Sequence, residues 1–215
     1  MKIKEIYCQK GNYIVSLTIA ALCVLATLIS VLFPDTYQAM EYAYPIQYPW
    51  QIFSGIFLHG KPTFPLVATI GHLVFNLLLV LPFGIMIEKI LGSKRFAAMS
   101  LAAWMVYTIA FFVIAMVETP AGETAHGAGI SGIAFSYGMI GAYILFVLGK
   151  RNRKLLLKQV SFYALMNIVV AMLVMINPFV AGVSSMIIHL IAVAFGVVYI
   201  MIYKKRIHNF FSANE

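Results

Sequence analysis

Charge is scarce in this sequence. Only 10% of its 215 residues are Asp, Glu, Lys or Arg, and seven residues in all are acidic. With 62% hydrophobic residues against the roughly 45–50% usual for a soluble domain, a water-soluble fold would have no means of hiding its apolar surface. Mean hydropathy is +0.93. Cysteine is scarcer still: Cys8 lies in the polar N-terminal stretch and Cys23 inside the first apolar run, where the two cannot easily meet, so no disulfide framework is implied. No low-complexity tract, internal repeat or composition break marks a second domain.

Long apolar runs are abundant. Stretches of about 20 apolar residues are read as bilayer-spanning helices, and six stand out, at about 13–33, 66–87, 96–117, 130–149, 160–177 and 182–203. The expected fold is an all-α polytopic membrane protein: a six-helix membrane domain over 13–203, with cytoplasmic segments at 1–12 and 204–215. The first run is longer than the roughly 7–15 residues of a signal-peptide core and has no A-x-A site after it, so it reads as a retained helix. The longest connection, 34–65, holds Pro34, Pro45, Pro49, Pro62 and Pro65 with aromatics between them. Its "YPWQIFSGIFL" is too apolar to stay in water and reads as a partly embedded outer loop.

Charge placement gives an orientation. If the spans alternate sides, 14 of the 15 Lys and Arg residues fall on one face and Lys61 alone on the other. Cytoplasmic loops collect basic residues, which places both termini in the cytoplasm. The net charge of +8 is then a topology signal. No nucleic-acid partner is implied, and the basic loops suit an anionic lipid surface.

No charged residue lies deep in a span; Glu88 sits at an inner end. Ion-coupled carriers depend on such charges, so their absence weakens a transporter reading. The spans instead carry neutral polar groups: His72 and Asn76 on the second, Ser131 on the fourth, Asn167 on the fifth and His189 on the sixth. At about 1.5 Å per residue, counted from the first inner-face charge of each span, His189 stands about 22 Å up, His72 about 24 Å, Asn76 about 18 Å and Ser131 about 28 Å. All four occupy the outer part of a hydrocarbon core about 30 Å thick.

Their chemistry is complementary. His72 and Asn76, four apart, share a helix face and can donate hydrogen bonds to one point. Ser131, in "HGAGISGIAF" (126–135), opens the fourth span, where free N–H groups and the helix dipole favour negative charge. Gly127, Gly129 and Gly132 let that backbone bend and drop below the surface, a feature tolerated only beside protein or a water-filled cavity. Ser131 as nucleophile, His189 as general base and His72 with Asn76 at the oxyanion make a dyad-type hydrolase. Each motif also has a packing explanation: small residues let membrane helices approach closely, and a lone His or Asn can staple two helices. His59 and His126 read as loop residues and His208 as part of the tail.

These residues resemble the rhomboid family of intramembrane serine proteases. The resemblance rests on "GHLVFNLLLVLPFGIMIEKILGS" (71–93), "GISG" (129–132), "HLIAVAFG" (189–196) and "WQIFSGIFLH" (50–59). It implies a six-helix bundle with a shortened, partly buried fourth helix, Ser131 and His189 as catalytic dyad, and His72 and Asn76 at the oxyanion site. It further implies Gly129 and Gly132 as motif glycines, Phe135 as the ring on the base, and Gly196 where the fourth and sixth helices pack closely. No metal or cofactor is implied; the expected partners are membrane-protein substrates and the bilayer, with the oligomeric state open. The chain departs from the family in several places. Gln51 follows Trp50 where arginine is frequent, Phe135 replaces a common tyrosine, and Ile188 and Ala192 flank the base where smaller residues are usual. Residues 60–71 add length. The alternative function is a non-catalytic rhomboid-like protein that binds or escorts membrane helices.

Overall fold

The structure, a computed structural model, describes residue 6 and residues 12–61, 63–151 and 182–213. The elements run α1 (Ile14–Leu32), α2 (Asp35–Met40), β1 (Tyr42–Tyr44), α3 (Gln51–Ser54) with a 3-10 turn Gly55–Phe57, α4 (Leu66–Leu91), α5 (Ser93–Glu118), β2 (Ala125–Gly127), α6 (Ser131–Arg151) and α7 (Val183–Ser212). Among the described residues, five helices are long and apolar enough to cross a membrane: α1, α4, α5, α6 and α7. They correspond to the first four predicted spans and the sixth. The fifth, 160–177 with Asn167, lies outside the described residues.

The helices are turned inside out relative to a soluble bundle. On α1, Ser16, Ala20, Cys23, Thr27 and Ser30 are buried, spaced alternately four and three apart, while Leu17, Leu25, Leu28 and Leu32 are exposed. Small and weakly polar side chains face the bundle and large apolar ones face outward, because lipid leaves no hydrophobic drive between helices and close packing is what remains. α6 is the innermost helix, with 67% of its apolar window buried against 22–39% for the others. It is shorter than α4, α5 and α7, which pack around it. At Gly141 an added Cβ would enter the Phe83 ring of α4, and at Gly196 on α7 it would meet Met139 Cβ at 2.9 Å and the Ser136 carbonyl at 3.0 Å. Ser136 Oγ donates to the Ala192 carbonyl at 2.8 Å, tying α6 to α7. Tyr137 and Ser100 share a 2.6 Å hydrogen bond between α6 and α5.

Segment 34–65 is ordered by its own polar anchors. Gln51 is fully buried; its Oε1 accepts from the N–H groups of Gln47 and Tyr48, each at 3.0 Å, and its Nε2 donates to the Gln38 carbonyl at 2.9 Å. A carboxamide thus holds the loop at the position where the family often has arginine. Two three-residue strands, which the sequence pattern did not announce, pair β1 antiparallel with β2, Ala43 opposite His126. Ile46, Tyr48, Trp50 and Phe53 stay exposed on the outside of this segment. α7 continues past Lys204 to Ser212, burying Ile207 and Phe211, and His208 meets the Tyr143 hydroxyl at 3.0 Å.

At the other end, Glu88 is fully buried. Its carboxylate accepts from the N–H groups of Val15 and Ser16 and from the Ser16 hydroxyl, at 3.2, 2.9 and 2.7 Å, so it caps the first turn of α1. It also accepts from Ser93 Oγ at 2.7 Å, at the start of α5. One side chain joins three helices through charge-assisted bonds. Glu88→Leu strands these donors and should lower stability by about 3 kcal/mol, with Glu88→Gln intermediate. Melting in detergent checks this; equal midpoints for wild type and Glu88→Leu would show that the bonds contribute nothing net.

Candidate active site

Ser131 is the first residue of α6, and Gly129 before it has φ +113, a backbone region that side chains rarely adopt. Gly129 N–H donates to the Gly55 carbonyl at 3.0 Å, so the 3-10 turn fixes the segment leading into the helix. The first bond of the helix is Ala134 N–H to the Ile130 carbonyl at 2.9 Å. The N–H groups of the turn beginning at Ser131 precede it, and such groups lack partners within the helix.

α7 brings His189 to this helix start. Its Nε2 is 2.9 Å from Ser131 Oγ. The imidazole must accept the serine proton to act as a base, which places its own proton on Nδ1. That atom is buried with no hydrogen-bond partner among the described residues. The Phe135 ring, one turn below Ser131, lies against the imidazole with centroids 4.3 Å apart. The imidazole of this pair has an apolar backing in place of a third polar group.

α4 supplies His72 and Asn76. Gly60 N–H donates to His72 Nδ1 at 3.4 Å, leaving the ring proton on Nε2. That edge faces the serine loop: a Cβ on Gly129 would lie 3.7 Å from Nε2. Gly60 therefore lies against His72, and with φ +78 it sits where a Cβ would enter Thr69. Asn76 is buried, its Nδ2 donates to the His72 carbonyl at 3.1 Å, and its Oδ1 has no partner among the described residues. Ser131, His189, His72, Asn76 and Phe135 all line one cavity of about 630 Å³. Gly196 lies two turns below His189 at the α6–α7 contact, and Gly132 faces the Tyr107 ring of α5.

The cavity rim is charged. Lys61, Glu118 and His126 line it, and Glu118 accepts from Ser184 Oγ at 2.5 Å, joining the end of α5 to the start of α7. His126 on β2 pairs with buried Glu41 at 2.9 Å. Burial raises the Glu41 carboxyl above its ordinary value, while His126, and beyond it Lys61, act to lower it.

A bundle of apolar helices enclosing a serine–imidazole pair defines a multi-pass helical membrane protein with a hydrolase-like site. The family model described as Rhomboid domain matches residues 47–206, and the chain belongs to the rhomboid family, whose members are generally intramembrane serine proteases. No curated protein gives a match. The surroundings of such a domain are a lipid bilayer.

Reading the sequence missed the wall between and behind these groups. His59 lies in a loop, as expected, yet it is 1% exposed, with its ring 5.2 Å from that of His72. Its Nδ1 contacts the Phe57 carbonyl at 3.1 Å and Thr27 Oγ1 at 3.3 Å, and its Nε2 is unpartnered among the described residues. The missing signal was the turn at Gly60, which folds the loop back over α4. Burial, with the neighbouring His72 adding to it, lowers the His59 pKa from 6.5 to about 3. A depressed value means that the unfolded chain binds the proton first. The stability this confers is complete above pH 6.5 and is lost as pH falls from 6.5 toward 3. The loss approaches about 1.4 kcal/mol per pH unit for one proton. Unfolding measured from pH 4 to 7 should show this slope in wild type and a shallower one in His59→Asn; parallel curves would refute the assignment.

Proposed function

We propose that this protein is an intramembrane serine endopeptidase that hydrolyses peptide bonds in or near transmembrane segments of other membrane proteins. The 2.9 Å contact between Ser131 Oγ and His189 Nε2 at a helix start inside a cavity carries the reading. Packing alone requires no such pairing of nucleophile and base. Ser131 Oγ attacks the scissile carbonyl as His189 Nε2 takes its proton. The oxyanion that forms is met by His72 Nε2–H, by an Asn76 Nδ2 hydrogen and by the first N–H groups of α6. His189 returns the proton to the leaving amine, giving an acyl-enzyme. It then takes a proton from water, whose hydroxide attacks the ester, and returns that proton to Ser131 Oγ as the acid product leaves. Gly129 gives the backbone its turn into the helix, Gly132 leaves room for the Tyr107 ring, Phe135 backs the base, and Gly196 lets α7 pack against α6.

Detergent-purified protein incubated with model single-span substrates tests this. Ser131→Ala should abolish cleavage and fluorophosphonate labelling and leave the melting temperature unchanged; undiminished cleavage would refute the nucleophile assignment. His72→Ala or Asn76→Ala should lower kcat with KM less affected, by up to about 10²–10³-fold for one donor. A fall only in proportion to the folded fraction would make them packing staples. A folded wild type without Ser131-dependent activity would fit a non-catalytic member that binds membrane helices.

The same reading places the termini in the cytoplasm and the cavity toward the extracytoplasmic side, supported by the basic bias of the loops. In a Cys8→Ser, Cys23→Ala background, a cysteine at position 121 should react with an impermeant maleimide on intact cells and one at 152 should not. The reverse pattern would invert the topology.

A further inference from the structure

One wall of the cavity changes character along its length. Tyr107, Phe111, Ile114 and Glu118 recur four, three and four apart on α5, so they share a helix face, and all four line the cavity. The wall is aromatic and aliphatic beside Ser131 and ends, at the last residue of α5, in an exposed carboxylate. α7 faces it from across the opening. Ser185 and Ser184 precede His189 by four and five residues and line the same cavity, and Ser184 Oγ donates to Glu118 Oε2 at 2.5 Å. Glu118 is the only carboxylate that lines the cavity among the described residues.

Its charge is left uncompensated. Glu88 receives two N–H groups and two hydroxyls. Glu41 is paired with His126 at 2.9 Å, and Lys61 also acts on it electrostatically. The two cations at the opening, Lys61 and His126, are therefore balanced by the carboxylate they share. Glu118 has a neutral hydroxyl as its partner, and among the described residues no cation pairs with it. A carboxylate accepts at both oxygens, so the Ser184 bond at Oε2 leaves Oε1 able to accept from a further donor.

Position relates this charge to the cleaved bond. The leaving amine must lie at His189 Nε2 to receive its proton, and Ser184 is about 7.5 Å farther along α7 at about 1.5 Å per residue. An unwound substrate advances about 3.3 Å per residue, so Glu118 stands two or three residues from the cleaved bond, toward the end of the bundle opposite Glu88. A lysine or arginine there could lay its apolar stem along Ile114 and Ile188, which line the wall between, and bring its charged end to Oε1. A substrate carboxylate at the same place would meet like charge.

We infer that Glu118 is a specificity-determining residue, favouring substrates with a lysine or arginine two or three residues from the cleaved bond on the side that leaves toward Glu118. The inference rests on the proteolytic reading of Ser131. Lysine, glutamine or glutamate is placed at each of three positions on either side of the cleaved bond in a model single-span substrate. Then kcat/KM and melting temperature are measured for wild type, Glu118→Gln and Glu118→Lys, with Ser131→Ala as the blank. Attraction of lysine and repulsion of glutamate, each about 3-fold at an exposed site, multiply to a wild-type preference of about 10-fold at the second or third position on one side. That ratio should approach 1 in Glu118→Gln, which keeps an acceptor for Ser184, and invert in Glu118→Lys. Added salt should shrink it in wild type, a reading that stands even if Glu118→Lys does not fold. A wild type without charge preference, or the same ratio in Glu118→Gln, would overturn the assignment and leave the protease reading standing. If Glu118 only tied α5 to α7, the variants would melt lower and cleave every substrate more slowly at an unaltered ratio, which would also overturn it. Without Ser131-dependent cleavage in wild type, the proteolytic reading fails and this assignment falls with it.

Discussion

Ser131 and His189 sit on different helices, and the 2.9 Å between their side chains is set by how closely those helices approach below them. At Gly196 the backbone of α7 lies against the Ser136 carbonyl and Met139 Cβ of α6, with no room for a methyl group. Ser136 Oγ crosses the same contact to the Ala192 carbonyl. Van der Waals packing of this kind falls away steeply with separation, so a side chain at position 196 would move the imidazole from the hydroxyl before it changed anything chemical. The bundle can be seen as built outward from that contact. α4 closes on α6 at Gly141, α1 closes on α4 where a Cβ on Gly84 would lie 3.2 Å from Ser16 Oγ, and Glu88 holds the foot of α1.

Polar groups are treated differently at the two levels of the bundle. At the Glu88 end the N–H groups of Val15 and Ser16 and the hydroxyls of Ser16 and Ser93 converge on one carboxylate. Around the cavity the accounting is left open: the described residues contain three buried side-chain atoms without a partner, His59 Nε2, Asn76 Oδ1 and His189 Nδ1. All three belong to the wall of the cavity or to the ring directly behind it. Buried orphan groups cost about 1–3 kcal/mol each and are rare in native structures. Their concentration here marks the place where the fold gives up stability in its polar accounting.

Hydropathy made the spans legible, because a helix facing lipid must be apolar along its whole length. The predicted starts at 66 and 182 fall within a residue of Leu66 and Val183. The end of α7 was not legible: hydropathy marks where a helix leaves lipid, and Lys204 leaves lipid eight residues before the helix stops at Ser212. In the site, Ser131, His189, His72 and Asn76 stood out because a polar side chain in an apolar run is conspicuous. Tyr107 did not, since a tyrosine in such a run looks like any other aromatic. Glu41 and His126 are 85 positions apart, and only the pairing of β1 with β2 brings them together. Gln51 stands where arginine is the frequent residue in the family. A buried carboxamide satisfies the same loop by accepting two N–H groups and donating to a carbonyl, a pattern visible only once the backbone is folded.

The size of the cavity bears on what could enter it. The carbonyls of an intact membrane helix are occupied by i→i−4 bonds, so a helix that entered as such would offer no free scissile carbonyl. A few unwound residues fit, and unwinding exposes both the scissile carbonyl and the backbone N–H groups that follow it. The energy required is smallest where the substrate's own sequence is a poor helix former, about 1 kcal/mol per glycine and 3 per proline relative to alanine. On the proteolytic reading, selectivity then follows from local helix instability as much as from side-chain recognition. On that same reading, the rim of Lys61, Glu118 and His126, with Glu41 behind His126, would suit the polar residues that flank an apolar helix.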